Sequence, residues 1–181
     1  MIPSLSSTGF LPLGRYQATK EEIHHRYVEE ISSDRRTLIW EHFENVYNLV
    51  SASIPICSIW IAGSFMSDKV EPSDIDLLFI FKESDIDARL SDPSFYSMII
   101  DLGDNSLNSI YGWLIDTRWI IWTPNSLPSF TLRTALADQY ALRGFWDEFW
   151  SRRYTVKDEM HPEDANLRQG YLEVIFDDFT I

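Results

Sequence analysis

The sequence predicts an α+β domain, a small mixed β-sheet with helices packed against it. Short runs dense in Ile, Val, Trp and Phe recur at 59–62, 77–81, 111–122 and 171–176. Each has roughly the length of one strand and is bounded by turn-forming residues. Other stretches repeat their apolar residues every three or four positions, the period of a helix buried along one face. At 181 residues, 45% of them hydrophobic, the chain reads as one domain, 1–181, with ample material for a core.

Taken in order, residues 1–14 carry Ser, Pro and Gly and read as an extended arm that ends in Leu11-Pro12-Leu13-Gly14. Thr19 and Glu22 then form a capping box, N-cap and N3, that opens a short helix to about residue 31. Residues 32–34 break and recap the chain, and a longer helix runs to about 51. Its Ile39, Phe43, Val46 and Val50 fall on one face. His24, His25 and His42 lie on these helices, where an adjacent His pair makes a poor chelate. Pro55 opens the first strand. The single cysteine, Cys57, lies in it and reads as a small buried apolar group. After the second strand, Ser91-Asp92-Pro93 starts a helix over 95–102, and 103–109 reads as a polar loop. A third strand region, 111–122, holds Asp116 inside an otherwise apolar run, where aspartate is unfavourable unless it has a purpose. A proline-containing loop covers 123–129. A helix dense in aromatics follows from 138 to about 154, and its Leu142, Phe145, Trp146 and Phe149 make a stripe expected to pack on the sheet. Arg143, Arg152 and Arg153 could reach a phosphate, but in so acidic a chain they are expected to pair with its own surface carboxylates. Residues 157–169 read as loop, and 171–176 as a last strand with Glu173 in its middle.

The chemistry concentrates between 59 and 81. A strand ends at Gly63-Ser64, a polar loop follows, and a second strand opens on Asp74-Ile75-Asp76. Residues two apart on a strand share a face, so both carboxylates aim at one point. Two close carboxylates repel, and a divalent cation removes the conflict; Mg²⁺ favours one or two carboxylates together with phosphate oxygens. A Gly-Ser turn that leads into a helix aims backbone N–H groups at an anion. The nine residues between Ser64 and Asp74 allow the turn to return beside the acids. Asp85-Ile86-Asp87 repeats the letters without a Gly-Ser turn before it or an apolar run after it, and reads as a loop or helix start.

The net charge of −13 disfavours long DNA or RNA as a partner, since such binding needs Lys and Arg against the phosphates. A nucleotide that arrives with Mg²⁺ is not disfavoured. No stretch has the pattern of a signal peptide or a membrane span, so no membrane association and a cytoplasmic location are expected.

The pattern hydrophobic–Gly63–Ser64–x9–Asp74–Ile75–Asp76–hydrophobic resembles the signature of the nucleotidyltransferase superfamily with the polymerase-beta-like fold. The resemblance implies that the Gly63-Ser64 turn holds a nucleoside triphosphate and that Asp74 and Asp76 hold Mg²⁺ or Mn²⁺. It also implies a third carboxylate from a later strand, for which Asp116 is the candidate and Glu173 the alternative. Lys69, in the loop between, would add charge at the phosphates or simply be solvated. Leu11-Pro12-Leu13-Gly14, Ala18-Thr19 with Glu22, Arg143-Gly144-Phe145-Trp146-Asp147 and Gly170-Tyr171-Leu172-Glu173-Val174 extend the likeness to small, largely uncharacterised nucleotidyltransferase-like bacterial proteins. Members of the superfamily act in toxin–antitoxin pairs, phage defence, antibiotic modification or tRNA-end modification. Three functions stay open on the residues alone: metal-dependent transfer of an NMP group from an NTP to an acceptor hydroxyl, a partner-binding module such as an antitoxin, and a nucleotide sensor.

Overall fold

A computed structural model describes residues 1–124, 134–152, 166, 168–177 and 179. A five-stranded mixed sheet lies at its centre, with strands β1 (Arg15–Gln17), β2 (Ser58–Ala62), β3 (Ile75–Lys82), β4 (Ile115–Trp122) and β5 (Tyr171–Ile175) in the order β1-β5-β2-β3-β4. β2 runs antiparallel to both its neighbours, while β3–β4 and β1–β5 are parallel pairs. The expected α+β fold is therefore the observed one. The three residues of β1 were not foreseen. They are polar, alternate in exposure, and pair with a strand from the far end of the chain.

Helix α1 (Lys20–His24) begins with the capping box expected of Thr19 and Glu22, and continues as a π-helical turn over His25–Glu29. Ser33 caps α2 (Asp34–Ser51), and the predicted stripe Ile39, Phe43, Val46 and Val50 is fully buried. Short α3 (Glu83–Asp87) carries the second Asp-Ile-Asp sequence as a helix. Asp92 caps α4 (Pro93–Asp104), with Pro93 in the first turn. The polar stretch 103–109 is not a loop. α4 runs on to Asp104, Asn105 turns left-handed, and α5 (Ser106–Tyr111) follows. Leu102 and Leu107, both buried, anchor the two helices on either side of that break.

The faces of the sheet differ. Ile75, Leu77, Phe79 and Phe81 of β3 join the large cluster that contains the buried stripe of α2 and Phe95, Ile99 and Leu102 of α4. Leu78 and Ile80 join a smaller cluster with Trp60, Ile120, Tyr171 and Trp150, the last from α6 (Thr134–Ser151). The aromatic stripe expected on α6 is divided. Trp146 and Trp150 pack toward the sheet, whereas Leu142, Phe145 and Phe149 are exposed at 47%, 54% and 37%. The arm at 1–14 is irregular but anchored, with Leu11 fully buried and a bridge between Phe10 and Ser67. Most of the predicted loops at 123–129 and 157–169 lie outside the described residues.

Candidate active site

Gly63 follows directly on β2, at φ +80°, a conformation that favours glycine. A Cβ at this position would overlap the Asp76 carboxylate. Asp76 pairs with Ala62 across the antiparallel β2–β3 ladder, so the Gly-Ser turn and the Asp-x-Asp strand are brought into contact. Ser64 opens a single 3₁₀ turn, Ser64–Met66, and its hydroxyl makes no hydrogen bond to any described residue. Its carbonyl accepts from the Ser67 hydroxyl at 2.6 Å.

Two consecutive arginines at the start of α2 hold the connecting loop in place. Arg36 is fully buried. Its guanidinium donates to the carbonyls of Tyr27 (3.0 Å), Phe65 (2.8 Å), Ser67 (2.8 Å) and Lys69 (2.5 and 3.1 Å). Arg35 donates to the carbonyls of Pro72 and Ser73 at 3.0 and 2.5 Å, and the Ser33 hydroxyl donates to Glu71 at 2.8 Å. The N-terminal arm adds the bond from Asp68 N–H to the Gly9 carbonyl, 2.9 Å. Arg36 was missed in the sequence, although it lies three residues before Ile39 in line with the buried stripe. Lys69 contributes its backbone to this clamp, and its side chain is exposed.

Asp74 and Asp76 are half-buried at the start of β3. Asp76 lies directly opposite Asp116 in the parallel β3–β4 register. The Asp76 carboxyl is pushed up to about 7, first by burial and then by the charges of Asp74 and Asp116, with Arg118 opposing. Burial also raises Asp116, and Arg118 again opposes. Arg118, two residues on along the same face of β4, donates to the Asp116 carboxylate at 2.9 Å. His42 fixes the entry to β4. Its Nδ1 accepts from the Leu114 N–H at 3.0 Å, which assigns a neutral ring protonated at Nε2.

Among the described residues no three His, Cys, Asp or Glu side chains are already gathered as a metal cage. Asp74 and Asp76 nonetheless suit a hard divalent ion: they are oxygen donors, half-buried, with mutual repulsion that only part of one arginine offsets. Glu173 does not belong to this group. It lies on β5, beyond β2, and its carboxylate accepts from Ser58 (3.1 Å) and Trp60 (2.8 Å) and pairs with Arg15 at 3.2 Å. Cys57 is buried and its thiol pushed up to about 12 by that burial, consistent with a packing role.

A family model described as a family of unknown function, DUF6932, matches residues 3–175, and the chain belongs to that family. No curated protein and no solved structure matches it. No described helix is long and apolar enough to cross a membrane.

Proposed function

We propose that this protein is a metal-dependent nucleotidyltransferase that moves an NMP group from an NTP to an acceptor hydroxyl. The observation that carries the proposal is the contact between Gly63 and Asp76. It brings the phosphate-binding type of turn against the paired carboxylates. Asp74 and Asp76 would hold Mg²⁺ or Mn²⁺, with Asp116 across the strand pair as the third carboxylate. The ion would lower the pKa of the attacking hydroxyl and offset charge on the phosphate. The Ser64 hydroxyl and the turn backbone hold the β- and γ-phosphates, with Lys69 adding charge at the mouth. The acceptor oxygen bonds to the α-phosphorus, the bond to pyrophosphate breaks, and Asp116 takes the acceptor's proton. The loop clamped by Arg35 and Arg36 keeps turn and acids in register without rearrangement, the kind of preorganisation that catalysis rewards. A cytosolic setting, where NTPs and Mg²⁺ abound, suits this chemistry.

The test is incubation of the protein with each α-labelled NTP and Mg²⁺, offering tRNA and the protein itself as acceptors. Transfer by the wild type and none by Asp76→Asn is expected. No label on any acceptor, together with no NTP-dependent rise in Tm, would refute the proposal. A second reading, a module that binds a partner protein, is favoured by the exposed Leu142, Phe145 and Phe149 of α6. Loss of a co-purifying partner on Phe145→Ser, with transfer absent throughout, would select it.

A further inference from the structure

Arg143 departs from the expectation that it would pair with a carboxylate. It faces the sheet from α6, half-buried, and forms no hydrogen bond or ion pair with any described residue. Its guanidinium lies over the fully buried Trp60 ring, 5.1 Å from the centroid, and 5.9 Å from that of Phe179. A second guanidinium, that of Arg15 on β1, lies 4.9 Å from the same Trp60 centroid. Two like charges thus share one indole. Of the described acids, the two whose charge reaches Arg143 are already engaged: Glu173 binds Arg15, Ser58 and Trp60, and Asp147 accepts the Tyr171 hydroxyl. Burial and the charge of Arg15 both press Arg143 toward losing its proton, with Glu173, Tyr171 and Asp147 opposing. In a chain of net charge −13, an arginine whose donors no described residue takes, and whose nearest cation is a second arginine, is chemically out of place unless an anion completes it.

We propose that Arg143 and Arg15, whose guanidinium groups both approach the Trp60 ring, form a binding site for an oxyanion, the phosphate or carboxylate group of a small ligand. A guanidinium presents donors in a planar fork that matches the two oxygens of such a group. Arg15, more than a third exposed at the sheet edge, provides the approach from solvent, and Arg143 provides half-buried donors that no described residue takes. The site is separate from the paired carboxylates. Trp60 lies opposite Leu78, one same-face position beyond Asp76, so roughly 7 Å along and one strand across. It needs no metal and does not depend on nucleotidyl transfer.

The experiment measures Tm in chelator-treated, metal-free buffer at constant ionic strength, with chloride exchanged for inorganic phosphate in one arm and for acetate in another. In the wild type, phosphate or acetate is expected to raise Tm saturably, by about 3–6 °C at ten times its Kd. Which of the two acts identifies the oxyanion. Asp76→Asn should keep the full rise, which separates this site from the candidate active site. Arg143→Met keeps an apolar stem against Trp60 but removes the fork, and should abolish the rise. Arg15→Gln, at the exposed edge, should weaken the affinity several-fold and serves the same purpose if Arg143→Met does not fold. No rise in the wild type with either anion, or an undiminished rise in these variants, would overturn the proposal.

Discussion

Asp76→Asn is expected to stabilise the metal-free protein at neutral pH. Folding takes this carboxyl from an ordinary value of 3.8 to about 7. Between those values the folded chain holds a proton that the unfolded chain has released, so stability falls as pH rises from about 4 to about 7. A shift of about 3 units at about 1.36 kcal/mol each sets an upper bound near 4 kcal/mol for the loss at pH 7.5, and partial access to water brings the expected figure to about 2–4 kcal/mol. Asn has the same shape and no proton to lose, so its stability should be flatter across that window. Urea denaturation of both proteins at pH 5 and pH 7.5, in metal-free buffer, reads the difference directly. Part of the loss has already occurred by pH 5, so the variant should gain on the wild type by about 1–2.5 kcal/mol between the two pH values. Saturating Mg²⁺ at pH 7.5 should reverse the order, since an ion that binds only the native wild type stabilises it by mass action. Parallel stabilities at both pH values, or a variant less stable at pH 7.5 without metal, would show that the carboxylate is well accommodated as an anion. The case for a cation between the acids would then fail.

Gly63→Ala meets both the positive φ and the Asp76 carboxylate, and should cost about 2–4 kcal/mol in chemical denaturation; a cost under 0.5 kcal/mol would mean the turn does not press on Asp76. Arg36→Met leaves four backbone carbonyls without their buried donor and should lose about 3–5 kcal/mol by the same measurement. Ser64→Ala should leave stability within about 0.5 kcal/mol of wild type while weakening NTP binding, measured by calorimetry with Mg²⁺, by about 1–2 kcal/mol.

What could be read from the sequence follows the range of the interactions concerned. The α2 stripe and the caps at Thr19 and Asp92 depend on residues within a turn or two of each other, and those expectations hold. The run 103–111 misleads because its helical turns depend on distant partners. The Asn105 side chain accepts from the Thr117 N–H, and the Thr117 hydroxyl donates to Leu102, contacts that exist only once β4 is in place. The same limit applies to α6, where the 3.6-residue period identifies a helix but not which of two apolar faces meets the sheet. Trp146 and Trp150 are the ones that do so, through Trp150 against Tyr171.

Within the candidate site the division falls between the motif and its support. Gly63, Ser64, Asp74 and Asp76 are legible because their spacing alone places them at the ends of adjoining strands. Asp116 was singled out as a misplaced acid. Its position opposite Asp76 rests on β4 pairing parallel to β3 after three intervening helices, which no local pattern encodes. Arg36 shows the reverse case. Its period matched the buried stripe, but its charge argued for solvent, and only the loop carbonyls converging on it reconcile the two. Burying a guanidinium is costly, and Arg36 is held well below its usual value, near 10, mainly by that burial. Four carbonyl partners offset the cost, and all but Tyr27 belong to the segment joining the Gly-Ser turn to the aspartates. A cheaper apolar residue would fill the same volume but fix none of those carbonyls. The cost is understandable if that segment must hold one conformation, and Arg36→Met is the variant in which a loosened segment and a displaced Asp76 should appear together.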